Sequence, residues 1–204
     1  MNHEYLFSQY NKGRDLIFDL DNTIYPENSF LFIAYKRISN RYPLNIQNDI
    51  KKYLENEFIN GNRKNLFNNL LTIFPNSNLS VSDCVDILRS KQKENDLKTY
   101  VWFQKFIHLI NDVFDLYIIT NGNPRQQKNK IKAINFPISV DIKQIIYANE
   151  IEAKPSPKSF YKLKHYKNLI EPMYIGDSET DKEFCRNLNI EFFNINVLTR
   201  RELI

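Results

Sequence analysis

The sequence predicts an α/β chain: a doubly wound, Rossmann-like parallel sheet carrying a small all-helical insertion after its first strand. Three observations lead there. Short apolar runs rich in β-branched and aromatic residues recur at Asp15–Leu20, Leu116–Thr120, Gln144–Tyr147, Met173–Ile175 and Glu191–Asn194. The later runs are separated by helix-like stretches, which argues for parallel crossovers. Between Pro26 and about Lys98 no strand pattern occurs at all.

Taken in order, Asp15–Leu20 contains Leu16-Ile17-Phe18, apolar on consecutive positions, as expected of a strand covered on both faces. The insertion then reads as four helices: Phe30–Arg41, Ile46–Phe58, Arg63–Phe74 and Ser80–Glu94. Pro43, Gly61 and Pro75-Asn76-Ser77-Asn78 separate them, and Ser80-Val81-Ser82-Asp83 supplies N-cap chemistry. Thr99–Val113 returns the chain to the sheet as a crossover helix. Pro124–Ala133, Pro157–Tyr166 and Thr180–Leu188 are the remaining predicted helices. The expected organisation is a core domain of residues 1–25 and 96–204 and a helical domain of residues 26–95.

Composition bounds the possibilities. The chain has 204 residues, 42% apolar and 14% aromatic, enough for one globular core with an insertion. A net charge of +4, with acids and bases interspersed, gives no argument for nucleic acid. Cys84 and Cys185 lack metal-ligand spacing, and His3, His108 and His165 are scattered singly. Residues 1–12 lack the apolar stretch of a signal peptide, and no segment has the length of a membrane span. A cytoplasmic protein without membrane or nucleic-acid partners is the expectation.

Candidate chemistry gathers where predicted strands end, the place where ligands bind in doubly wound sheets. Asp19-Leu20-Asp21-Asn22-Thr23 follows the first strand. Two carboxylates at that spacing suit a hard divalent cation beside a nucleophile. Thr120-Asn121-Gly122 closes the second strand ahead of a helix, offering a hydroxyl and backbone N–H groups to an anion. Lys154-Pro155 leads into the next predicted helix. Gly176-Asp177-Ser178-Glu179-Thr180-Asp181 follows Met173–Ile175, with Gly176 permitting a tight turn and Asp177 placed to complete a cation site with Asp19.

These four motifs, in this order, resemble the signature set of the haloacid dehalogenase-like (HAD) hydrolase superfamily. Asp19-Leu20-Asp21-Asn22-Thr23-Ile24-Tyr25-Pro26 is similar to the branch of pyrimidine 5′-nucleotidase-like phosphatases, and the insertion matches the cap type called C1. The resemblance implies an Mg²⁺-dependent phosphatase of small phosphorylated metabolites, a nucleotide or a sugar phosphate. In it Asp19 is the nucleophile that forms an aspartyl-phosphate. Asp21 protonates the leaving alcohol and then activates water, while its backbone carbonyl joins Asp19 and Asp177 around the metal. Thr120 and Asn121 bind phosphate oxygens, Lys154 neutralises charge, and Gly122 and Asp181 give support.

Two weaker groups complete the candidates. Arg125, Lys128 and Lys130 are candidates to hold an anion, though a solvated helix face is the simpler account; Tyr25, Phe30, Phe32 and Tyr35 are candidates to border a substrate. Two alternatives differ in kind: a haloacid dehalogenase, against which Asp21 argues because halide leaves without a proton, and a non-catalytic ligand-binding protein of the same fold.

Overall fold

The computed structural model describes residues 3–76, 78–91, 96–110 and 112–199. Helix α1 (His3–Asn11) precedes β1 (Leu16–Phe18). Helices α2 (Glu27–Ser39), α3 (Gln47–Ile59), α4 (Leu66–Ile73) and α5 (Val81–Arg89) follow. Then come β2 (Leu97–Lys98), α6 (Val101–Leu109), β3 (Phe114–Thr120), α7 (Pro124–Ala133), β4 (Ile134–Asn135) and β5 (Val140–Tyr147). The chain closes with β6 (Met173–Gly176), α8 (Glu179–Leu188), β7 (Glu191–Asn194) and the short α9 (Asn196–Thr199).

Five strands form one sheet in the order β5-β3-β1-β6-β7, every neighbouring pair parallel. The first strand is therefore central, flanked by β3 on one side and β6 on the other. Phe18 stands opposite Ile118 and Ile175. Strand order reverses at β1, which opens a crevice beyond its carboxyl end. Successive side chains of β1 leave on opposite faces. Ile17 joins a buried cluster with Ile119, Ile146, Tyr174 and Phe184. Phe18 meets Phe103, Phe106 and Phe114 at centroid distances of 6.0, 6.4 and 6.0 Å. Both faces are covered, so the first strand carries no polar alternation.

Residues Met1–Pro26 with Lys93–Ile204 make one compact unit and Glu27–Gln92 a second. Within the second, α2 packs on α3 and α5, and α4 on α3 and α5. Phe32 of α2 meets Phe58 of α3 edge-on, with centroids 5.8 Å apart. Ser80 and Asp83 form a reciprocal capping box at the start of α5. Phe30 and Tyr35 are buried.

Three expectations need correction. Residues 157–166 do not form an α-helix; 3₁₀ turns occupy Pro157–Lys162 and Tyr166–Asn168. The apolar positions explain this, since Phe160, Leu163, Tyr166 and Leu169, which pack on the core, recur at intervals of three, the 3₁₀ period. Strands β3 and β5 begin earlier than their apolar runs. β5 lies at the sheet's edge, and its exposed Asp141 and Lys143 hide the strand pattern. The helix expected over Ser80–Glu94 ends at Arg89, and residues 92–94 of that expectation lie outside the described residues.

Candidate active site

Beyond the carboxyl ends of β1, β3 and β6 lies a cavity of about 170 Å³ lined by Asp19, Asp21, Asn22, Thr120, Asn121, Lys154, Asp177, Ser178, Thr180 and Asp181. Asp19 is fixed by the sheet, its N–H donating to the Ile175 carbonyl at 2.8 Å. Asn22 then takes a left-handed conformation, φ 54°, that turns the chain back on itself. Ile24 N–H closes the turn on the Leu20 carbonyl.

Lys154 is the hub. It is buried, and its Nζ lies 2.7 Å from Asp19 Oδ1 and 2.6 Å from Asp181 Oδ1. It also donates to the Tyr174 hydroxyl at 2.7 Å, and that hydroxyl donates onward to the Ile119 carbonyl. Asn121 locks the loop that carries this lysine. Its side chain accepts from Lys154 N–H at 2.8 Å and donates to the Lys154 carbonyl at 3.0 Å. Asp181 is held from its own helix, where Ser178 donates to Oδ2 in a capping box. A Cβ on Gly176 would lie 2.7 Å from Asp181 Cγ, so only glycine admits this approach. Gly122 has φ +113°, a conformation that favours glycine, and its N–H donates to Asn149 Oδ1.

One carboxylate oxygen from each of Asp19, Asp177 and Asp181 lies within 4.8 Å of the others. Three carboxylates thus face one ammonium. Burial pushes the Asp177 carboxyl up to about 6, with Asp181 adding to the rise. Burial raises Asp19 as well; Lys154 opposes this while Asp181 and Asp21 reinforce it. An all-oxygen donor set with surplus negative charge fits a hard divalent cation.

Asp21 belongs to a different group of donors. Tyr25 Oη lies 2.5 Å from its Oδ1, Gln127 Nε2 2.9 Å from its Oδ2, and Lys130 Nζ 2.8 and 2.7 Å from both oxygens. Burial alone would raise this carboxyl, but the Lys130 ammonium and the three donors outweigh it and hold it below the ordinary range. Gln127 Nε2 also donates to Thr120 Oγ1 at 2.7 Å.

The haloacid dehalogenase-like hydrolase family model matches residues 16–195. The chain belongs to this family. Solved HAD structures share its fold at low identity. A protein described as a β-phosphoglucomutase from Thermotoga maritima is 13% identical, with 89% of this chain and 84% of that one covered and a TM-score of 0.61. A protein described as the HAD hydrolase YfnB from Bacillus subtilis, bound to magnesium, is 19% identical, with coverage of 90% and 88% and a TM-score of 0.52. A protein described as a phosphoglycolate phosphatase from Lactobacillus plantarum is 14% identical, with coverage of 88% and 84% and a TM-score of 0.51. No curated protein matches the sequence.

Within the HAD fold of this chain, Asp19, Asp21, Thr120, Asn121, Lys154, Asp177 and Asp181 line one cavity, and Gly122 turns the chain beside it. The weaker groups divide. Arg125 and Lys128 are exposed, Lys128 reaching Glu150, whereas Lys130 is buried on Asp21. Tyr25 contributes a hydroxyl to Asp21, while Phe30 and Tyr35 are buried. Gln127 and Tyr174 were not among the sequence candidates. Gln127 sits three residues before Lys130, and the two share one buried stripe of α7 with Ala133; α7 is polar along most of its length, so only the fold shows that stripe. Asn196, also unforeseen, donates to the Asp177 carbonyl at 2.7 Å.

Proposed function

We propose that this chain is a magnesium-dependent phosphatase acting on a small phosphorylated metabolite such as a nucleotide or sugar phosphate. The observation that carries the proposal is the buried Lys154 between Asp19 and Asp181, with Asp177 beside them. In this reading the incoming phosphate dianion raises the Asp21 carboxyl so that it takes up a proton from solvent; Asp19 Oδ then attacks phosphorus, the bond to the leaving oxygen breaks, and Asp21 gives that oxygen the proton. Asp21 next takes a proton from water, which attacks the aspartyl-phosphate, releases inorganic phosphate and restores Asp19. Thr120 and the Asn121 turn receive phosphate oxygens, and Lys154 offsets the charge gathered on phosphate and nucleophile. Asp19, Asp177 and the Asp21 carbonyl would hold Mg²⁺, with Asp181 in support. When bound, the ion offsets repulsion between carboxylate and phosphate dianion.

Asp21 supports phosphate-ester chemistry over dehalogenation, because only an alcohol leaving group needs the proton. The residue pattern from Asp19 to Pro26 supports placement beside pyrimidine 5′-nucleotidase-like phosphatases. We assign Glu27–Gln92 the role of a C1 cap that excludes water from the reaction. A cytoplasmic location fits this substrate class; among the described residues no helix is long and apolar enough to cross a membrane.

The test is phosphate release from p-nitrophenyl phosphate and from a panel of phosphorylated metabolites, with Mg²⁺ and then with EDTA. Release that needs Mg²⁺ and prefers small metabolites is the expected result. Activity undiminished by EDTA would refute the metal assignment, and silence across the whole panel would refute the phosphatase reading.

A further inference from the structure

The acid/base carboxylate and the phosphate-facing hydroxyl come from different strands, yet one side chain touches both. Gln127 is 1% exposed and does not line the cavity. It is delivered by α7, whose start is fixed by Asn123 accepting from Gln126 N–H and by Pro124 in the first turn. One turn further along, at three residues' distance, stands Lys130, 2% exposed.

The direction of each hydrogen bond follows from the charges. Asp21 Oδ2 already accepts from Lys130 Nζ at 2.7 Å, and an accepting oxygen repels the amide oxygen of glutamine but takes a hydrogen from its NH₂. Gln127 therefore presents Nε2, which has two hydrogens. One goes to Asp21 Oδ2 at 2.9 Å and the other to Thr120 Oγ1 at 2.7 Å. With an oxygen lone pair of Thr120 occupied from behind, its own hydrogen must point elsewhere. It now makes a long 3.3 Å contact with the Asn121 carbonyl, a weaker acceptor than an anionic oxygen in the cavity.

Resting on the phosphatase reading above, we propose that Gln127 is a positioning residue that sets hydrogen-bond polarity at two points of the site. Through one hydrogen it holds Asp21 toward the leaving group; through the other it turns the Thr120 hydroxyl into a donor for a phosphate oxygen. Lys130 is the counter-ion that fixes the same carboxylate, engaging both its oxygens. Tyr25 completes the clamp from the opposite oxygen.

A residue that only fills space would not alter how the rate depends on the leaving group. The experiment compares the full chain with Gln127→Met, Lys130→Met and Lys130→Arg on a series of substituted phenyl phosphates, with inorganic phosphate as competitive inhibitor. Gln127→Met keeps the length and removes the donor. It should cost roughly a hundredfold in kcat on phenyl phosphate but under about tenfold on p-nitrophenyl phosphate, whose leaving group needs little help from an acid. Inhibition by phosphate should weaken about tenfold, on the scale of one lost hydrogen bond to a charged group. Lys130→Met should steepen the leaving-group dependence in the same way, and Lys130→Arg should restore most of it. Losses equal across the series, with phosphate inhibition unchanged, would overturn the proposal. Should Gln127→Met fail to fold, the two Lys130 variants decide alone: a wild-type slope in Lys130→Met overturns the clamp. A wild-type chain inert toward every ester would instead bring down the phosphatase reading beneath it.

Discussion

The two ends of the central sheet offer two hollows of different character. At the amino ends of β1, β3 and β5 lies the larger, about 890 Å³, with Arg14, Asp15, Asp115, Asp141 and Lys143 around it. At the carboxyl ends lies one of about 170 Å³. Size alone would favour the first. In the large hollow the Lys143 charge is solvated and paired at the surface: its side chain is 40% exposed and reaches Asp141 at 2.6 Å and Asp115 at 3.3 Å. Such pairs contribute little. In the small hollow Lys154 has only 2% of its side chain exposed and shares its charge between two carboxylates. Desolvated charge is costly and is kept where it has work to do. The lesson is that concentration of buried charge, and not volume, sets the candidate site apart.

The sharpest way to break that contrast is to neutralise one carboxylate at each end. Asp19→Asn should reduce phosphate release on the order of ten-thousandfold, because the proposed nucleophile and a proposed metal ligand are lost together. Asp115→Asn should leave turnover within about twofold, as expected of an exposed surface change. Equal effects at the two ends, measured as kcat/KM on p-nitrophenyl phosphate with Mg²⁺, would erase the distinction.

Next in size is stability. Lys154→Met leaves Asp19 and Asp181 buried without their shared cation, a loss of about 3–5 kcal/mol. For a chain of this length that lowers Tm by roughly 10 °C. Lys143→Met, at the other end, should cost under about 1 kcal/mol. Urea or thermal unfolding of the two metal-free variants checks both values. A Lys154→Met protein as stable as wild type would mean the buried pair is no more than a surface contact.

Much of this was legible in the sequence, for a physical reason that also sets the limit. Backbone placement reads well: β1 is apolar at every position, Asp19 and Asp177 follow strand ends and Thr120 closes one, where a doubly wound sheet gathers its loops. What failed was periodicity and pairing. Pro157–Tyr166 reads as a helix, yet its packed residues Phe160, Leu163 and Tyr166 recur every three positions, not every 3.6. Lys130 looked like one of three solvated cations on α7, and only the fold decides which of them turns inward. Asn121 could be placed at the phosphate turn from its position, yet its side chain clasps both backbone groups of Lys154, 33 residues away. Long-range partners of this kind leave no spacing to read.

The smallest expected effect concerns pH, and it probes the surplus of negative charge directly. The Asp177 carboxyl lies at about 6 in the fold against an ordinary value of 3.8, with burial and then Asp181 as causes. A raised carboxyl means the folded chain holds its proton more tightly than the unfolded chain does. The sign follows: this group favours folding below pH 3.8, and the benefit disappears as pH climbs through about 6. At neutral pH without metal, the wild type therefore bears the cost of a buried charge, with repulsion from Asp181 added, that Asp177→Asn lacks. The variant should melt higher than wild type at pH 7.5, and the gap should close as pH falls toward 4. Mg²⁺ should reverse the order, since in the proposed reading it binds the folded wild type through the very carboxylate the variant has lost, and ligand binding to the native state raises Tm. Differential scanning fluorimetry of both proteins across pH, with EDTA and with Mg²⁺, reads all four conditions. A gap independent of pH, or one that Mg²⁺ leaves unchanged, would place Asp177 outside the cation site and leave the carboxyl end of the sheet with a charge cluster no different in kind from the one at the amino end.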